Sequence, residues 1–360
     1  MVAGVRLPPW QYRTGEDDGA LARLHGRVAV TPTLFMICGL PGAGKTMVSK
    51  RLEKQRRALR LCPDEWISAM LPTPSQRSEM DRLRDPVEAV QWDVAMRVLE
   101  LGIDAILEWG FWSRAERGRL AAMARERGFG VEVRSLAVPF EELWSRIEAR
   151  NAALPPGAFR VERADLDLWW SDYEPPPPDE LLPQAQHAPE RSVAASPPTV
   201  FLTCGLPASG KTTLARRLES ERRAVRLTAD EWLHRLYPHL SGDVLLLSVL
   251  QHPGSLRWPV HDIQWEIATR LLALRCNVVV DWGIWAREER DRFRTEARAL
   301  GARVVLCLLD PPLDELEQRL EQRNATPPAG TFQISRELLE SSLKLFQRPQ
   351  AEELGLFDPL

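Results

Sequence analysis

Gly39-Leu-Pro-Gly-Ala-Gly-Lys45-Thr46 and Gly205-Leu-Pro-Ala-Ser-Gly-Lys211-Thr212 each satisfy the spacing G-x-x-x-x-G-K-[ST], after an apolar run and before a helical pattern. Each position of this motif has a mechanical task. Gly39, Gly42 and Gly44, with Gly205 and Gly210, let the backbone wrap around a phosphate chain. Lys45 and Lys211 would reach the β- and γ-phosphates, and Thr46 and Thr212 would offer a hydroxyl to Mg²⁺. The helix that follows adds its positive end. A glycine-rich turn without a ligand is the competing reading, and two complete matches in the same context argue against it.

Further residues recur around both loops. Asp64-Glu65-Trp66 and Asp230-Glu231-Trp232 follow short apolar runs. A carboxylate there would face the loop across a cleft, so Asp64 and Asp230 are the expected general base or hydroxyl-orienting groups. A helix N-cap is the alternative role. Glu108 and Asp281 close an apolar run, the position of an acid that holds Mg²⁺ through water or locks an arginine of the acceptor site; the Glu/Asp exchange favours an indirect role over direct ligation. Trp109, Trp112 and Arg114, repeated as Trp282, Trp285 and Arg287, are candidates for an acceptor wall, with core packing or surface ion pairing as the plainer readings. Arg146 and Arg150-Asn151, repeated as Arg319 and Arg323-Asn324, sit on one helix face before a Pro/Gly-containing loop and would form a lid that brings Arg150 or Arg323 to the transferring phosphoryl group. The basic positions between Lys50 and Arg60, and between Arg216 and Arg226, read as the solvated face of the helix after the loop.

These residues need a scaffold, and the chain supplies it twice. The halves align at an offset of 166 through the loop and the Asp-Glu-Trp segment, then at 173 from Gln91-Trp92 and Gln264-Trp265 to Arg150-Asn151 and Arg323-Asn324, with Gly157, Phe159 and Tyr173 opposite Gly330, Phe332 and Phe346. The seven-residue shift follows the proposed base and would border the acceptor. Apolar runs at 34–38, 105–107 and 131–138, and at 200–204, 278–280 and 304–309, predict strands, and helical spacing separates them. Strand and helix in alternation predict an α/β protein of two tandem P-loop NTPase domains, each a parallel sheet flanked by helices, whose ligands lie beyond the carboxyl ends of the strands. The expected units are an N-terminal arm at 1–31, read either as flexible or as a short helix around 18–24, domains at 32–181 and 198–360, and a Pro-rich linker at 182–197.

Composition narrows the classes. A length of 360 residues suits two domains, and 27% charged residues with a formal net charge of −3 give no sign of bulk attraction to nucleic acid. Five cysteines form no C-x-x-C pair and read as reduced core thiols; six scattered histidines match no metal spacing. The absence of a signal-like or membrane-spanning run makes the cytoplasm the expected compartment.

On the loop, the facing Asp, the strand-end acid and the lid arginine, each half resembles the small P-loop kinases often grouped as AAA-type ATP-binding proteins, related to polynucleotide kinase, zeta toxin and chloramphenicol phosphotransferase. The resemblance implies ATP as donor with Mg²⁺, and roles for Asp64 and Asp230 in activating a hydroxyl and for Arg150 and Arg323 in the lid. Polynucleotide kinases carry an arginine three residues after that Asp; Ile67 and Leu233 stand here. The expected activity is therefore transfer of the γ-phosphate of ATP to a hydroxyl of a small molecule, with two nucleotide sites per chain and no membrane partner. A polynucleotide or nucleoside kinase, and a nucleotide-dependent ATPase or switch, are the alternatives. The sequence leaves the acceptor, the choice between ATP and GTP, and the oligomeric state open.

Overall fold

The computed structural model describes residues 31–71, 77–153, 160–181, 196–238, 257–326 and 332–360. The expected N-terminal helix, most of the linker, Gly157, Phe159, Gly330 and much of the segment that carries the seven extra residues lie outside these ranges.

Short β-branched and apolar runs form the strands because both faces of each sheet are covered by helices. In the first half these are β1 (Thr33–Cys38), β2 (Leu59–Leu61), β3 (Ala105–Gly110) and β4 (Gly130–Ser135), all parallel in the order β2-β3-β1-β4. Helices α1 (Lys45–Arg56), α2 (Pro63–Met70), α3 (Arg77–Glu100), α4 (Arg114–Glu126), α5 (Phe140–Ala152) and α6 (Arg163–Asp172) connect and cover them. The second half repeats the plan with β5 (Thr199–Cys204), α7 (Lys211–Glu221), β6 (Ala224–Thr228), α8 (Ala229–Leu236), α9 (Arg257–Ala273), β7 (Asn277–Asp281), α10 (Arg287–Ala299), β8 (Arg303–Leu308), α11 (Leu313–Ala325), α12 (Arg336–Leu345) and α13 (Ala351–Leu354). Its order, β6-β7-β5-β8, is the same. β1 and β5 are fully buried along their length, as central strands must be. The strand expected over 131–138 ends at Ser135, because the chain must turn into α5 and Pro139 stands at that helix's N-cap.

The halves pack on each other through matching surfaces. Trp66 and Trp232, repeats of one another, stack with centroids 4.9 Å apart and planes 20° apart. A residue meeting its own repeat is the mark of an approximate two-fold axis. On either side α2 meets α9 and α3 meets α8, and one apolar cluster runs through both halves. Such an indole pair contributes about 1 kcal/mol beyond the area it buries. All five cysteines are free and buried, which pushes the Cys38 thiol up to about 12. No described helix is long and apolar enough to cross a membrane.

Candidate nucleotide and acceptor sites

Each phosphate loop leaves the carboxyl end of its central strand and runs straight into a helix. Gly44 and Gly210 occupy the left-handed region at φ 91° and 96° immediately before α1 and α7. At Gly205 a Cβ would lie 2.3 Å from the Leu309 carbonyl oxygen, so the strand-to-loop turn excludes any side chain. The Lys45 ammonium donates to the Gly39 and Leu40 carbonyls at 3.0 and 3.2 Å, and Lys211 to the Leu206 carbonyl at 2.6 Å. Burial lowers both ammonium pKa values, that of Lys211 to about 8, against the pull of Asp64 and Glu108 on Lys45 and of Asp281 and Asp230 on Lys211. A desolvated ammonium hydrogen-bonded to its own loop's carbonyls fits a phosphate chain, whose negative charge would stabilise its charged form.

Beside the loop, the Thr46 hydroxyl bonds to Glu108, and the Thr212 hydroxyl donates to Asp281 at 3.4 Å. Hydroxyl and carboxylate oxygens are hard donors that suit Mg²⁺. Glu108 and Asp281 are 5% and 6% exposed. Burial raises the Asp281 pKa, with Arg226 and Lys211 acting in the opposite direction. Arg60 donates to Glu108 at 2.8 Å and to Glu65 at 2.7 Å; its repeat Arg226 lies 3.5 Å from Asp281 and 3.0 Å from Glu231. The sequence reading placed Arg60 and Arg226 on a solvated helix face. They lie instead on β2 and β6, Arg60 buried and Arg226 largely so, where they orient the strand-end acids.

Asp64 and Asp230 lie in the first turn of α2 and α8, whose N-caps are Cys62 and Thr228. Neither aspartate caps its helix, so each carboxylate is available elsewhere. Asp64 pairs with Arg84, and Asp230 with Arg257 at 2.7 Å. The sequence reading missed these arginines, although Leu83-Arg-x-Pro-Val87 and Leu256-Arg-x-Pro-Val260 repeat at the offset of 173. Ile67 and Leu233 are fully buried and pack into the core.

The lid arginines divide their roles. Arg146 reaches the Gly42 carbonyl at 3.3 Å and Arg319 the Ser209 carbonyl at 3.4 Å, so both touch the phosphate loop from α5 and α11. Arg150 keeps two buried guanidinium nitrogens, and Arg323 one, without a hydrogen-bond partner among the described residues. Burial lowers the pKa of both, countered by Asp64 and by Asp230. A buried, under-satisfied guanidinium within the field of the proposed base is suited to an incoming anion. Asn151 grips Val161 through both backbone groups, at 2.7 and 3.3 Å, and Asn324 grips Ile334 at 2.6 and 3.2 Å, which fixes where each chain returns after its loop.

The proposed acceptor wall has a different arrangement. The Trp109 and Trp282 indoles donate to Gln91 and Gln264 at 2.8 and 2.6 Å. Trp285 donates to the Gly205 carbonyl at 3.0 Å, bracing the phosphate loop, and Trp112 lies against Gly110. Arg114, exposed at the start of α4, pairs with Asp179 and Glu180, which follow α6, and Arg287, exposed at the start of α10, pairs with Asp291 one turn on. The wall's backbone is strained: Phe111 and Ile284 sit at φ 48° and 39°, where bulky and β-branched residues are rarely found. Arg117 and Arg290 hold these turns. Each is 1% exposed, donates to the Phe111 or Ile284 carbonyl at 3.0 or 3.1 Å, and pairs with Glu180 or Glu353. Breaking such a buried pair costs about 3–5 kcal/mol.

A family model described as AAA domain matches residues 34–176 and again residues 200–349. The chain belongs to this family. It carries two AAA domains of the P-loop, kinase-like type in tandem. No curated protein matches the chain. Among solved structures, a candidate kinase from Chloroflexus aurantiacus is 25% identical over 41% of this chain and 83% of its own, with a TM-score of 0.36. A gluconokinase from Sinorhizobium meliloti is 20% identical over 43% and 79%, at 0.30. A chain of the Pnkp1/Rnl/Hen1 RNA repair complex is 13% identical over 87% and 93%, at 0.33. At these TM-scores the reading of both AAA-domain sites rests on their own geometry.

Proposed function

We propose that the protein is an ATP-dependent phosphotransferase with one site in each half, moving the γ-phosphate of ATP to a hydroxyl of a small acceptor. The observation that carries this reading is the aspartate at the start of α2 and α8. It is held by an arginine, is not used as a helix cap, and lies within the electrostatic reach of the phosphate-loop lysine. An acceptor hydroxyl between Asp64 and the loop would give its proton to the carboxylate as its oxygen attacks the γ-phosphorus and the bond from that phosphorus to the β–γ bridging oxygen breaks, with ADP leaving. Arg84 keeps that carboxylate oriented. Lys45 would hold the β- and γ-phosphates, and Arg150 would meet the charge on the transferring phosphoryl group. Thr46 and Glu108 would hold Mg²⁺, which supplies charge neutralisation on the phosphates when bound. Asp230, Arg257, Lys211, Arg323, Thr212 and Asp281 take the same parts in the second half.

The acceptors of the two halves would differ. One turn beyond Arg84 the first half has Glu88, whose carboxyl burial pushes up to about 8 with Glu116 and Asp85 adding to the effect. The second half has His261, stacked on Trp282 at 4.2 Å. ATP turnover measured with and without a panel of hydroxyl compounds tests the reading. Acceptor-dependent turnover with a phosphorylated product is expected. Turnover that no acceptor changes, with no labelled product, would leave a nucleotide-driven switch.

A further inference from the structure

Three carboxylates surround a single guanidinium beside each strand-end acid. In the first half Arg60 lies 3.6 Å from Glu53, 2.7 Å from Glu65 and 2.8 Å from Glu108. In the second, Arg226 lies 3.0 Å from Glu219, 3.0 Å from Glu231 and 3.5 Å from Asp281. One positive charge cannot satisfy three negative ones; Arg216 of the same half adds a contact to Glu231 at 3.3 Å, and for Glu53 and Glu219 a further positive charge comes from across the interface. Arg270, on α9 of the second half, reaches Glu53 at 2.6 Å and bonds to the Arg60 backbone carbonyl. Arg97, its repeat on α3 of the first half, lies 3.8 Å from the Glu219 carboxylate and donates to the Glu219 and Ala224 carbonyls at 2.9 and 3.0 Å. All four arginines recur at the repeat offsets, 60 with 226 and 97 with 270.

We propose that each metal-nucleotide site is positioned by an arginine of the opposite half, Arg270 for the first site and Arg97 for the second. The inference rests on the nucleotide-binding part of the reading above and is independent of the acceptor. Without Arg270, Glu53 is left to compete for the Arg60 guanidinium and draws it toward α1. Glu108 then loses the partner that fixes its carboxylate beside Thr46. Arg270 touches neither metal nor nucleotide in this scheme and is a positioning residue.

The test uses the full chain and reads binding rather than turnover. Lys211→Ala silences the second site, so a fluorescent ATP analogue titrated at increasing Mg²⁺ reports the first; Lys45→Ala reports the second in the same way. Arg270→Gln should raise the Mg²⁺ needed for half-maximal binding at the first site by about tenfold, as loss of an outer-shell partner typically does. It should leave the second site unchanged. Arg97→Gln should do the reverse. A purely structural role would weaken both sites together or the site in the arginine's own half, and either pattern overturns the proposal, as does no change. If Arg270→Gln fails to fold, the paired variant Arg270→Gln/Glu53→Gln removes the unpartnered carboxylate as well and should keep the wild-type Mg²⁺ dependence at the first site, since nothing then competes for Arg60; a tenfold loss there would overturn the proposal. A wild-type chain that binds no nucleotide would remove the underlying reading; binding without the crossed pattern removes only this one.

Discussion

At the position where the first half carries Glu88, the second carries His261, and three residues earlier Asp85 in the first half corresponds to Trp258 in the second. Within the loop, Gly42 corresponds to Ala208, while the lysine, the threonine, the aspartate of the next helix and both lid arginines are the same in the two halves. The proposed donor side is thus held nearly constant and the proposed acceptor side is not. Glu88 presents a buried carboxyl close to Arg84. His261 presents a neutral ring, its pKa held well below 6.5 by burial and by Arg257 and Arg292, with both nitrogens unpartnered among the described residues. If these residues line the proposed acceptor sites, a carboxylate-rich site and an aromatic one would not rank acceptors alike, whereas two sites with the same lysine and threonine would treat the phosphate chain alike.

The most forceful way to break this comparison is to remove the shared base. Asp64→Asn and Asp230→Asn should each lower transfer at their own site by about 10²–10⁴-fold, leaving nucleotide affinity largely intact. Equal loss of binding would place the aspartate with the donor instead. Next, exchanging Glu88→His and His261→Glu in the full chain should shift the relative acceptor preference of the two sites toward each other by about 10–100-fold, read as kcat/KM ratios. Ratios that do not move would locate selectivity elsewhere.

A pH series probes the donor side. The Lys211 pKa, about 8 in the folded chain, lies below the ordinary value of 10.5. Nucleotide needs the charged form, so affinity at the second site should fall as pH rises through about 8, approaching tenfold per unit, and binding above about pH 8 should take up protons measurable by calorimetry in buffers of different ionisation heat. Without nucleotide the sign reverses for stability: between about 8 and 10.5 the unfolded chain holds the proton that the folded chain has released, so stability rises with pH there. The smallest effect concerns the loop itself. Ala208 sits at φ 62°, and a Cβ at Gly42 would lie 3.1 Å from Ile147 Cγ1 and the Leu143 carbonyl oxygen. Ala208→Gly should stabilise by about 1 kcal/mol, and Gly42→Ala should destabilise by about the same amount, in chemical denaturation.

Much of the fold was legible because the constraint was local. The alternation of apolar runs and helical spacing gave two parallel sheets, and the loop motifs marked the strand ends where ligands belong. What escaped were the arginines. Arg60, Arg84, Arg117 and Arg97 act on carboxylates 48, 20, 63 and 122 positions away. Single-segment reading counts such residues as solvated surface, since burial of a guanidinium is decided by partners brought in through the fold. The repeat held the missing signal. Exposed charges drift between copies of a duplicated domain, and these four recur with matching partners.

The stacked Trp66 and Trp232 give the duplication one more consequence. Two separate domains meeting through that surface would part on dilution, and whatever depended on their meeting would vary with protein concentration. Joined in one chain, they associate intramolecularly, and their encounter is set by the length of the tether rather than by abundance. The two proposed sites are therefore held in a one-to-one ratio that expression level cannot alter.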